Sequence, residues 1–143
     1  MSLEENKALL RRVFEEAMNK GNLSVIDELI APNYVNYSLP LPTPGPEGFK
    51  QIIGMFRSGF PYFNITIDDE FAEGDKVGTR GTWHGTHRGE FMGIAPTGKE
   101  VTVAYIDIWR VENGKFVENW VQMDMMGLMQ QLGVVPAPGQ AAA

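Results

Sequence analysis

Asp107 is the residue of this chain best placed to do chemistry. Along Val101–Val111 it alternates with Val103, Tyr105, Trp109 and Val111, so in an extended strand all five side chains share one face. If that face is buried, Asp107 must find a partner or stay protonated, because an isolated buried charge is costly. A carboxyl group whose pKa is raised toward neutrality suits general acid/base work, and perturbed acids cluster at functional sites. Other candidates have plainer expected roles. Asp124, at the end of the next strand, is expected to cap a helix starting at Met125. His87, in the THRG turn, is expected to hydrogen-bond a neighbour rather than shuttle protons. Arg80 is expected to pair with Glu70 or Asp69. The chain has two histidines and no cysteine, so no transition-metal site is expected. No Gly-rich phosphate loop and no nucleophile motif is present.

The Asp107 face must be carried by a hairpin. Val101–Val111 is rich in β-branched and aromatic residues, Glu112-Asn113-Gly114-Lys115 is a turn signal, and Phe116–Met123 is the return strand. Met125, Leu128, Met129 and Leu132 then fall at helical spacing, with Gly133 closing the helix and Pro136 stopping it. Upstream, Ser2 reads as an N-cap, and Leu10, Val13, Phe14 and Ala17 form a stripe that predicts an amphipathic helix over 3–19. A short helix is expected from Ser24 to Ile30, an extended piece at Tyr34–Tyr37, a proline-rich loop at Ser38–Pro46, and a third helix from Pro46 to about Ser58. After that the period changes from 3.6 to 2. Ile65, Ile67 and Phe71 alternate with polar residues, as do Val77, Thr79, Gly81 and Trp83, around a turn at Gly74-Asp75. Glu90–Lys99 reads as a loop. Helices followed by antiparallel strands give an α+β fold. A curved sheet with three helices on its concave side would leave a closed-ended pocket, lined by strand residues of one parity and by the first helix.

At 143 residues the chain is expected to form a single domain, 1–143, with 136–143 a frayed tail. Hydrophobic residues make up 43% and charged residues 21%, as in a soluble globular protein. The net charge of −6, with no basic run, argues against nucleic acid. No apolar run is long enough to span a membrane and no signal core is present, so a cytoplasmic location is expected, with no membrane partner.

The run GTHRGEFMGIAPTGKEV (Gly85–Val101), then VENGKFVENW and QQLGVVP, with NKALLRRVFEEAMNKGNLSVIDELIAPNYV and GPEGFKQ upstream, resembles the SnoaL-like polyketide cyclases of the nuclear transport factor 2-like superfamily. The resemblance covers nearly the whole chain. It implies a cone-shaped fold: a strongly bent mixed sheet wrapped round a hydrophobic pocket, with helices closing it. It also implies no metal or organic cofactor, and a homodimer or higher homo-oligomer. The best-described members close a ring of an aromatic polyketide by intramolecular aldol condensation. They use an acid/base Asp on the last strand and a His on the strand before. Aligned on Gly114-Lys115, the His position falls on Asp107 and the Asp position on Val121. A family pocket Asn falls on Asn36 and matches. The His before the Trp of the last strand is Asn119 here. The fold carries over; the cyclase chemistry does not follow, because Val121 cannot transfer a proton, and Asp107 is the nearest candidate for that role.

Two turns are open at the hairpin. A two-residue Asn113-Gly114 turn pairs Glu112 with Lys115 and sets Asp107 opposite Trp120. A three-residue Glu112–Gly114 turn pairs Val111 with Lys115, Asp107 with Asn119 and Tyr105 with Val121. The residues alone slightly favour the first; the pocket shared by the family's His and Asp needs the second, which is adopted. The expected site is then Asp107 as acid/base, with Asn36, Tyr105, Asn119, Val121, Met18 and Trp109 against the substrate. Asn119 or Tyr105 should hydrogen-bond Asp107. Met18, Met55, Trp109 and Met123 would form an adaptable apolar wall. The expected function is cofactor-independent acid/base chemistry, an aldol cyclisation or related lyase or isomerase reaction, on a small hydrophobic carbonyl compound. The alternative is a non-catalytic protein of the same fold that binds a small hydrophobic molecule. Ala104, Ile106 and Ile108, beside Trp120, make an outward face too apolar to leave in water.

Overall fold

The computed structural model describes residues 2–39, 43–136 and 139; Pro40–Pro42 of the proline-rich loop and most of the expected frayed tail lie outside them. The chain begins with helix α1, Leu3–Arg12, set by a reciprocal cap in which Ser2 accepts from the Glu5 N–H and Glu5 accepts from the Ser2 N–H. The helix expected to reach residue 19 does so, but Val13–Asn19 winds as a π-helix, with the Lys20 N–H donating to the Glu15 carbonyl. Phe14, Ala17 and Met18 of this wider segment are buried. Its end is tied to the sheet. Asn19 accepts from the Ile65 N–H at 2.7 Å and donates to the Ile65 carbonyl at 2.9 Å, while Arg57 donates to the Met18 and Asn19 carbonyls.

Helix α2 (Ser24–Leu29) leads into strand β1 (Ile30–Asn36), and helix α3 runs Gly45–Gly59 with proline in its first turn. Strands β2 (Asn64–Ile65), β3 (Asp69–Glu73), β4 (Lys76–Thr86), β5 (Glu100–Glu112) and β6 (Lys115–Met123) follow, then helix α4 (Met125–Leu132). The sheet is mixed, curved and open, in the order β1-β6-β5-β4-β2, with β3 also on β4; β1 and β6 are parallel and the other pairs antiparallel. This is the expected α+β architecture. The inner face meets the helices through aromatic contacts: Phe14 with Trp109 at 6.3 Å, Phe49 with Trp109 at 5.9 Å and Phe56 with Trp83 at 5.5 Å. Such pairs add to plain area burial, so the same rings that form the core also frame whatever space is left inside it.

The hairpin departs from the expected register. The turn is the two-residue form: Asn113 and Gly114 both have positive φ, 52° and 75°, and Glu112 pairs with Lys115. The pairing then slips, because Val111 faces Phe116 and Arg110 faces Glu118, leaving Val117 as an extra residue. Beyond this bulge Trp109 faces Asn119, Asp107 faces Val121 and Tyr105 faces Met123. The expected pairs Asp107–Asn119 and Tyr105–Val121 are therefore each off by two residues. A shift of two preserves parity, so Asn119 and Val121 still share the inner face with Asp107.

Candidate functional site

The site is built outward from Asp107. On β5 the side chains alternate buried and exposed, and Asp107 is only 4% exposed. Burial pushes its carboxyl up from an ordinary 3.8 to about 6, against the opposing pull of the Thr79 hydroxyl and a weaker one from the Trp109 indole. Thr79 lies directly across on β4 and donates to Asp107 Oδ1. On the other side Val121 of β6 offers no donor. The expected partners of Asp107 are thus corrected, because Asn119 and Tyr105 are committed elsewhere. Asn119 accepts from the Tyr34 hydroxyl and from Asn36 Nδ2, both at 3.3 Å, and donates to the Ile108 carbonyl at 3.1 Å. The Tyr105 hydroxyl donates to the Thr66 carbonyl at 2.7 Å. That carbonyl can come close because residue 81 is glycine; a Cβ there would stand 2.1 Å from the Thr66 oxygen. Burial pushes both the Tyr34 and Tyr105 hydroxyls up, so they stay protonated.

Sequence reasoning missed Thr79 as the partner. Thr79 shares a strand parity with Val77, Gly81 and Trp83, but the length of the 87–99 connection hid which β5 residue it would meet. Asn36 Oδ1 is held by the Ser38 and Leu39 N–H groups, both at 2.9 Å, which fixes the chain where it leaves β1.

These groups surround a cavity of about 60 Å³ between the sheet and the helices. Asp107, Asn36, Tyr105, Asn119, Val121, Met18 and Trp109 all line it, with Phe14 from the π-helical segment and Phe49, Ile53 and Phe56 from α3. It adjoins a wider groove of about 410 Å³, lined by Ser38, Met55, Met92 and Met125, and the two share the walls formed by Leu39, Ile52, Phe56, Val121 and Met123. Met55, expected in the apolar cavity wall, lines the groove and not the inner cavity. The groove is of the size of small-molecule sites.

The remaining candidates fall outside the cavity. Asp124 caps α4, accepting from the Gly127 N–H at 2.8 Å. His87 is fully buried and its Nδ1 accepts from the Thr97 N–H, so it holds a loop. Arg80 pairs with Asp69, while Glu70 takes Arg11 at 2.7 Å. Among the described residues no three His, Asp or Glu side chains converge as metal ligands would, and no helix is long and apolar enough to cross a membrane. Chemically, then, the cavity offers one carboxyl that titrates near neutrality inside an aromatic and aliphatic wall.

Comparison with known proteins finds relatives along almost the whole chain. The family model described as SnoaL-like polyketide cyclase matches residues 8–132. The nogalonic acid methyl ester cyclase of Streptomyces nogalater is 28% identical over 127 residues, 82% of this chain and 90% of that one. The aklanonic acid methyl ester cyclase AcmA of Streptomyces galilaeus is 29% identical over 142 residues, 92% of each chain. The solved structure of TsrD from Streptomyces laurentii superposes with a TM-score of 0.87 at 30% identity, covering 94% of this chain and 99% of that one.

Proposed function

Because the chain belongs to the SnoaL-like polyketide cyclase family, we propose that it is a cofactor-independent cyclase-type enzyme, a single domain that moves a proton beside a carbonyl, with Asp107 as acid and base. The observation that carries this reading is the buried Asp107 carboxyl, at about 6, in the wall of an apolar cavity. Near neutral pH it is mostly ionised and can take a proton from carbon next to a ketone. The resulting enolate carbon bonds to a second carbonyl of the same molecule. The alkoxide so formed takes the proton back from Asp107, and no atom is gained or lost. The substrate is a flat hydrophobic carbonyl compound, its reacting edge in the inner cavity and its body in the Met-lined groove. The test is turnover of a panel of aromatic polyketide methyl esters, including nogalonic and aklanonic acid methyl esters, followed by chromatography. Formation of a cyclised isomer supports the enzyme. Val121, standing where the family resemblance implies a carboxylate, favours the second reading, a binding protein of the same fold. Tight binding of these esters without turnover would establish that one.

Val121→Asp tests the geometry. It sets a second carboxyl across from Asp107, where cross-strand Cβ atoms stand ~4.5–5.5 Å apart. The two should titrate as a coupled pair in two steps, and the carboxyl at this half-buried position, set in an apolar wall, should cost about 1–3 kcal/mol of stability. Denaturant melts and carboxyl-carbon NMR titration read both. A variant as stable as wild type, with Asp107 titrating unchanged, would show that the two side chains do not interact.

We further propose that a second copy of the chain covers the outer sheet face. Ile106 is 56% and Ile108 39% exposed there, beside Tyr37 and Trp120 stacked at 5.2 Å. Sedimentation at micromolar concentration should give a dimer or larger, and the double substitution Ile106→Lys with Ile108→Lys should give a folded monomer. A monomeric wild type at that concentration overturns the assignment.

A further inference from the structure

The groove beside the inner cavity is walled by α3, by the exit of β1, by the end of β6 and by the start of α4. Among the described residues, Met92 alone reaches it from the connection between β4 and β5. The residues that flank the tip of this connection belong to the core. Phe91 is 1% exposed, and its ring stands 5.2 Å from Phe56 and 5.0 Å from Phe60. It lies so close to the end of α3 that a Cβ on residue 59, a glycine, would come within 2.9 Å of the Phe91 Cβ. Ile94 packs against the same core. Phe91 and Ile94 exchange backbone hydrogen bonds at 3.1 and 2.9 Å, closing a two-residue turn with Met92 and Gly93 at its tip.

Local chemistry does not favour methionine at this tip. Met92 and Gly93 both have positive φ, 50° and 79°, and in such a turn Asn, Asp or Gly costs least at the first position. A longer side chain is strained there by its own Cβ. Met92 gains little from burial in return, since it is 59% exposed. Strain of this kind persists where the surrounding structure over-determines it, and it clusters at binding and catalytic sites. A lone exposed apolar residue is ordinary. An exposed methionine on a strained, well-anchored tip, facing a groove that three more methionines line (Met55, Met123 and Met125), is not accounted for by the fold.

We propose that Met92 is a specificity-determining residue: its side chain covers the flat face of a ligand that extends from the inner cavity into the groove, and so favours longer fused-ring compounds over ligands short enough to stay in the inner cavity. This rests on the reading that the groove holds the body of the ligand; it does not depend on Asp107 acting as base. A thioether is flexible and polarisable, so it adapts to the ring it meets, and sulfur–aromatic contact adds to the area buried. The turn supplies the rigidity that the side chain lacks. Phe91 fixes where the tip stands, and the rotatable bonds of Met92 adjust within the groove.

The probes are 1-tetralone, with two fused rings, and alizarin, a dihydroxyanthraquinone with three. The chain has eight methionines, and in protein labelled with ¹³C at their methyl groups Met92→Leu, Met55→Leu and Met125→Leu assign three signals by elimination. Alizarin should shift the Met92 signal upfield, as a methyl over a ring face does, together with that of Met55 or Met125; 1-tetralone should leave Met92 in place. By direct titration Met92→Asn should bind alizarin roughly four- to tenfold more weakly, the worth of about half a buried apolar side chain, with tetralone affinity unchanged. Its urea midpoint should equal or exceed that of wild type, because Asn tolerates positive φ. Met92→Leu should keep most of the alizarin affinity. A shift of Met55 or Met125 without Met92 leaves the groove as the ligand site and overturns the role of Met92. A shift of none of the three, or no binding of alizarin up to its solubility, removes the groove reading and Met92 with it. Equal losses for both probes in Met92→Asn, or a lowered midpoint, would make Met92 a structural residue and also overturn the proposal. Full turnover by Asp107→Asn would remove the base while leaving these binding results intact.

Discussion

Asp107→Asn should lower turnover of a cyclised ester by roughly two to four orders of magnitude while changing ligand affinity little. The substitution keeps the shape of the side chain and an oxygen to accept from Thr79, so the cavity wall is preserved. What it removes is the group that changes protonation near neutral pH. Paired measurements decide the matter: steady-state turnover, and direct binding by calorimetry or fluorescence quenching. A fall in both together would mean that Asp107 holds the site together rather than moves a proton. Unchanged turnover would remove it from the chemistry altogether. The wild-type rate should also fall as pH drops through about 6, because the carboxyl must be ionised to act as base.

The same residue should make the fold less stable at neutral pH than at mildly acid pH. In the unfolded chain the carboxyl releases its proton near 3.8, and in the folded chain near 6. Between those values the folded state holds the extra proton, so stability is fully present below about 3.8 and is lost as pH rises through 6. At ~1.4 kcal/mol for each tenfold change in proton affinity, the loss is on the order of 3 kcal/mol by pH 7. Asp107→Asn carries no such charge. It should equal wild type near pH 4 and exceed it by a large part of that amount at pH 7, as read from urea midpoints at both pH values. Burial also pushes the Glu70 carboxyl up, while hydrogen bonds from Tyr37 and Arg110 hold Glu118 down, so the wild-type curve alone mixes several groups; the difference between wild type and Asp107→Asn isolates one. A difference that does not vary with pH would show that Asp107 titrates as an ordinary carboxylate. A residue that is unfavourable for the fold and needed for turnover is a common pattern at active sites.

The elements were legible because each is signalled over a short stretch. The Ser2–Glu5 cap, the helical stripe of Leu10 to Ala17, the Asp124 cap and Gly133 each act within a few residues, and the structure contains them all. The alternation around Asp107 was equally local, since the two-residue period of a strand assigns a face without reference to any partner. The partners were less legible. The register of β5 against β6 turned on one extra residue at Val117, and two turn types with the same residues predicted different pairs. The wider winding at Val13–Asn19 left no signal distinct from an ordinary helix.

By itself, then, the sequence determined the α+β order of elements and the face on which Asp107 lies, because capping, turn chemistry and periodicity are nearest-neighbour effects; the family was legible separately, through the resemblance of whole motifs such as Gly85–Val101. Only the tertiary structure decided that Thr79, from a strand 28 positions away, is the group that meets Asp107. It likewise decided that Tyr105 and Asn119 are spent on backbone carbonyls. Which donor finds which acceptor depends on sheet register and on the close approach of backbone at Gly81, and these are set by the packing of the whole inner face rather than by any stretch of chain.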